Sequence, residues 1–189
     1  MTTTKRPRSG LGLPVLLAWA LVPIAHAQTV SPAPLGPLSC VFERLEPKDR
    51  ELVADSVLGG EPGDATSTAA GTKLQAASAI CMTAHGWDRR RTGLSGAYAM
   101  NRSVYDTLET DFAAAGVPAG KLKAVWATLT TEDRSALREI DIPDAVAARL
   151  VVQLKAAGIP NNPDDLLEAY SSLAALSEIA VIEKAWRTP

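Results

Sequence analysis

The sequence predicts an all-α fold, and three observations lead there. Hydrophobic residues make up 47% of the chain but aromatic ones only 5%, so the β-branched and aromatic runs typical of strands are missing. After Cys40 no stretch sustains the alternation of apolar and polar side chains that a half-buried strand needs. Apolar residues recur instead at three- and four-residue spacing, in segments opened by Pro, Asp, Asn or Thr and closed by Gly. The expectation is a single compact bundle of about seven helices, stapled by one disulfide and containing a duplicated helical hairpin (about 106–140 and 148–183).

Residues 1–27 read as a cleavable export signal. Lys5, Arg6 and Arg8 form a basic start, residues 11–24 are almost wholly apolar, and Ala25-His26-Ala27 places cleavage before Gln28. The apolar run carries Pro14 and Pro23 and is shorter than the roughly 20 residues of a membrane span. No membrane span is expected in the mature chain, and the expected location is the periplasm or outside the cell. Residues 28–38 form a tether, because Pro32, Pro34, Gly36 and Pro37 disfavour a helix. Pro37 and the early end of the apolar run argue against a lipid anchor on Cys40.

Residues 39–189 are expected to form one helical domain. A short helical turn is predicted near 40–45, then a helix from Pro47 to about residue 58, stopped by Gly59-Gly60. Residues 61–68 (EPGDATST) read as a loop. In the helix predicted over 69–84, Leu74, Ala77, Ile80 and Cys81 fit one face, and His85-Gly86 closes it. Asp88 is the predicted N-cap of a helix over 89–115, with loose first turns at Gly93 and Gly96. Tyr98, Tyr105, Leu108 and Phe112 line one face of that helix.

The duplication begins there. Leu108-x3-Phe112-x-Ala114-Ala115-Gly116-Val117-Pro118 is followed by Leu122, Trp126 and Leu129. Leu150-x3-Leu154-x-Ala156-Ala157-Gly158-Ile159-Pro160 is followed by Leu166, Tyr170 and Leu173. In each copy a helix ends at glycine, an aliphatic residue tucks the turn, proline blocks continuation and a new helix starts. Between the copies, Thr130 or Thr131 with Glu132 and Asp133 starts a helix running to Ile140, and Pro143-Asp144 starts another. Asn162 caps a last helix begun by Pro163.

Charge limits the function. The leader holds three of the nineteen Lys and Arg and none of the 21 acids, so the remainder carries sixteen cations against 21 acids, net −5. Such a chain has no basic field for nucleic acid or anionic lipid. Cys40 and Cys81 are the only cysteines, and in an oxidising compartment they pair. Cys81-x3-His85 is also half of a metal site or a thiol–imidazole pair, but pairing with Cys40 excludes both. No cofactor or metal is expected, and no catalytic motif is found.

Two further features stand out. Arg89, Arg90 and Arg91, with Arg102 beyond, sit at a helix start where the dipole disfavours cations. They read as an anion or acidic-partner contact, or as a solvated face paired with acids over 46–55. Trp87, Trp126 and Tyr170 read as core anchors or as the walls of a ligand pocket. The functional expectation is therefore an exported, non-enzymatic protein that contacts a protein or envelope partner through an apolar groove between the hairpins. The alternative is a binder of a small apolar or anionic ligand, with Arg89 to Arg91 at the mouth of a pocket near Trp87, Trp126 and Tyr170.

Overall fold

Backbone amides at a helix start need partners, and a side chain supplies one at four of the eight helix starts among the described residues. The computed structural model describes residues 36–189 apart from Ile140, Asn161 and Pro189; the expected export signal and residues 28–35 of the expected tether lie outside the described residues. Among the described residues there are eight helices and no strand: α1 (Cys40–Arg44), α2 (Pro47–Leu58), α3 (Ala65–His85), α4 (Arg89–Ala114), α5 (Lys121–Thr128), α6 (Thr131–Ala136), α7 (Asp144–Ala156) and α8 (Pro163–Arg187). Asp64, Asp88, Thr130 and Asn162 each accept a hydrogen bond from the backbone amide three residues on, capping α3, α4, α6 and α8.

Three boundaries differ from expectation. Helix α3 begins at Ala65, inside the stretch read as a loop, because the Asp64 carboxylate caps the Ser67 amide at 2.6 Å. Ser and Thr are poor helix formers on average, yet a good cap outweighs them in a first turn. Helix α4 runs unbroken through Gly93 and Gly96. Gly96 lies against Ser78 of α3, where a small residue allows close helix packing. Helix α6 stops at Ala136, short of Ile140.

The core falls into two clusters joined by α4. One gathers Cys40, Val41, Val53, Ala77, Cys81, Trp87 and Ala99 from α1, α2, α3 and the first half of α4. The other gathers Leu108, Phe112, Leu122, Leu150, Leu154 and Leu173 from the rest of α4 and from α5, α7 and α8. Helix α4 packs most extensively against α8, then against α2. The buried stripe of α3 is narrow, Ala70, Ala77 and Cys81. Ile80, expected on that face, is instead 50% exposed, since α3 leans on its neighbours along one edge only. The Cys40–Cys81 disulfide joins α1 to α3, with Cα atoms 6.1 Å apart.

The two repeat turns are built alike. Val117 donates its amide to the Phe112 carbonyl (2.8 Å) and Gly116 to Ala113 (3.1 Å); likewise Ile159 donates to Leu154 (3.0 Å) and Gly158 to Lys155 (3.0 Å). Gly116 and Gly158 adopt φ of 87° and 81°, the left-handed geometry of this helix ending. Val117 and Ile159 are buried over the turns they close. The copies differ afterwards: the first continues into short α5 and α6, the second into the long α8.

Candidate functional site

The arginine cluster has a structural partner distant in sequence. Arg90 donates through Nη2 to the carbonyls of Ala185 (2.8 Å) and Thr188 (3.2 Å), and Arg91 through Nη1 to that of Trp186 (2.8 Å). These carbonyls belong to the last turn of α8, the negative end of its dipole, where cations are favoured. The Arg91 guanidinium also lies 4.6 Å from the Trp186 ring centre. So the cations that burden the start of α4 serve the end of α8, rather than acids of the 46–55 helix. Arg89 is exposed. Arg102 pairs with Asp106 (2.9 Å).

Trp87 is buried beside them. Its ring stacks on His85 with centres 4.9 Å apart and meets Trp186 edge-on at 5.3 Å. Gly36 packs against the His85 ring so closely that a Cβ there would meet it. The Cys81 sulfur is bonded to Cys40, so Cys81 and His85 do not form a thiolate–imidazole pair here. Among the described residues no group of three or more His, Cys, Asp or Glu is placed to hold a metal.

Trp126 and Tyr170 pack against the other core cluster. Trp126 Nε1 donates to Ser177 Oγ (3.0 Å), and the Tyr170 hydroxyl donates to the Ala147 carbonyl (3.3 Å). Both therefore act as amphipathic anchors, one end in the core and the polar end satisfied. The pocket posed around Trp87, Trp126 and Tyr170 does not form, because Trp87 belongs to a different cluster from the other two.

A concavity with a volume of about 730 Å³ lies elsewhere, between α2, α4 and α8. Its floor is the core itself, reached at Val104, Leu108 and Leu137. Its walls carry three large apolar side chains open to solvent: Val57 (48% exposed), Leu58 (41%) and Leu167 (66%). Asp55, Asp111, Asp164, Glu168 and Glu178 stand around it, against the single cation Arg138. The Glu168 carboxyl is held above its ordinary range, first by desolvation and then by Asp111, Asp165 and Asp164.

The sequence suggested an apolar groove between the two hairpins; this concavity instead has a wall on α2, outside both hairpins, and none of its residues was singled out as lining it. Val57 and Leu58 end α2 and Leu167 sits on the outer face of α8, so only the packing of three separate helices brings them together. No protein-family model matches the chain, and no curated protein or solved structure matches it either.

Proposed function

We propose that this chain is an exported, non-enzymatic helical protein that docks a basic, amphipathic helix of a partner protein in the α2–α4–α8 groove. One observation carries the reading: an apolar trough of about 730 Å³ is rimmed by five carboxylates and one arginine. Isolated apolar residues on a surface are ordinary, but a contiguous apolar trough is a feature of interaction sites. An amphipathic helix would lay its apolar face on Val57, Leu58 and Leu167 while flanking Lys or Arg meet the acids. A cation there would offset the repulsion from Asp111, Asp165 and Asp164 that adds to desolvation in lifting Glu168. The disulfide and the absence, among the described residues, of any helix long and apolar enough to cross a membrane are compatible with a periplasmic or secreted location.

The test is fluorescence anisotropy with a labelled Leu/Lys amphipathic helical peptide, and with a Leu/Glu peptide of the same pattern. The basic peptide is expected to bind and to weaken with added salt. Leu167→Lys or Glu168→Lys should each cost about tenfold in affinity, while Glu51→Lys, on α2 away from the groove, should change little. Acidification should weaken binding as Glu168, whose carboxyl is held above its ordinary range, is neutralised. Equal binding of the acidic peptide, or indifference to both groove variants, would overturn the proposal. A concentration-dependent dimer abolished by Leu167→Lys would assign the groove to a second copy instead.

A further inference from the structure

A second concavity, of about 260 Å³, lies between α5, α6 and α8, and its chemistry is the reverse of the first. Arg134, Arg138 and Lys184 line it and no acidic residue does. None of these three cations is in an ion pair among the described residues. In a chain whose acids outnumber its Lys and Arg, three cations lining one pocket repel one another; Arg138 also borders the acidic groove, so Arg134 and Lys184 carry most of the uncompensated charge.

The wall between them is apolar and fixed. Trp126 is held by its bond to Ser177, and the Arg134 guanidinium lies 4.1 Å from the Trp126 ring centre. Arg134 is placed by donating from Nη2 to the Ala127 carbonyl (3.0 Å), while its buried Nε has no hydrogen-bond partner among the described residues. Ala180 and Val181 of α8 form the floor, with Val181 42% exposed. From this arrangement we infer that the pocket binds a small amphiphilic anion, a carboxylate on a single alkyl chain of the fatty-acid class. The carboxylate meets Arg134, Arg138 and Lys184, and the chain covers Trp126 and Val181. The volume sits just below the roughly 300–1,000 Å³ of drug-sized ligand sites, which fits one chain. This inference is independent of the groove reading, since only Arg138 touches both concavities.

The experiment is isothermal titration of the oxidised protein with decanoate below its micellar range, alongside neutral decyl glucoside and inorganic phosphate. Decanoate is expected to bind at one saturable site and the other two at least about tenfold more weakly, because each offers half of the recognition. Lys184→Gln, an exposed side chain without a packing role, should weaken decanoate by about tenfold, as should Val181→Glu, which adds an acid to the floor. Arg134→Gln should do the same, and circular dichroism will report any loss of fold from its Trp126 contact. Arg89→Gln, outside the pocket, should leave binding unchanged. Decanoate affinity indifferent to Lys184→Gln and Val181→Glu, or matched by decyl glucoside, overturns the inference. Phosphate binding as tightly as decanoate also overturns it, leaving a site for inorganic anions.

Discussion

Asp133 keeps only 4% of its side chain exposed, although it is charged. It is held by the Arg149 guanidinium and by the Thr130 hydroxyl, which donates to Oδ2 at 2.9 Å. Those bonds, Arg149 foremost, lower its pKa below the ordinary 3.8. A carboxyl with a depressed folded pKa stabilises the fold fully above the unfolded value and loses that contribution as pH falls through the folded one. Asp133→Asn is therefore expected to cost about 1.5–3 kcal/mol at pH 7, the range for hydrogen bonds to a charged group. The gap to the parent should close as pH is lowered from about 4. Urea titrations across pH check this, and a gap that persists at pH 2 would assign the cost to shape rather than charge. At this scale local chemistry was readable: Thr130, Asp88 and Asn162 were recognisable caps because their partners are three residues away. The role of Arg90 was not, since its acceptor Ala185 lies 95 residues along the chain.

At the scale of elements, two glycines do opposite things, one closing a helix and one lying inside one. Gly158 adopts φ of 81° and closes α7, so Gly158→Ala forces a Cβ into a left-handed backbone and should cost about 1–2 kcal/mol. Gly93 lies inside α4 with open space where a Cβ would go. Gly93→Ala should therefore stabilise the protein by up to about 1 kcal/mol. Opposite shifts in the denaturation midpoint would establish both assignments; the same sign for both would refute one. The repeat was legible because its turns are encoded by five contiguous residues, Ala-Ala-Gly-aliphatic-Pro. The start of α3 and the continuity of α4 were not, because composition around residues 61–68 and at Gly93 and Gly96 argues locally for loops. A cap in one case and helix packing in the other outweighed that argument.

Across the whole molecule, α4 is the spine shared by two cores of different construction. The cluster of α4, α5, α7 and α8 is built from large aliphatic side chains such as Leu108, Leu150, Leu154 and Leu173. The other relies on smaller residues, a tryptophan and the disulfide. The cysteine pair was readable because the chain has two cysteines, whereas both concavities depend on helices distant in sequence and left no signal. Helix α1 has five residues, too few to hold itself. Besides Cys40, it is tied by Ser95, whose hydroxyl donates to the Leu38 carbonyl at 2.7 Å and accepts from the Val41 amide at 3.4 Å. A loop closed over a separation of 41 residues restricts the unfolded chain by about 4 kcal/mol on the entropic model. That is less than the upper part of the 5–15 kcal/mol range for a domain, and the larger aliphatic core does not contain the bond. Reduction is therefore expected to leave the fold standing but loosened at one end. Hydrogen exchange with and without reductant tests this: amides of α1 and of α3 around Cys81 should lose protection, while Leu150, Leu154 and Leu173 keep theirs. Simultaneous loss of protection throughout would mean that α4 couples the two cores into one cooperative unit, with the disulfide holding both.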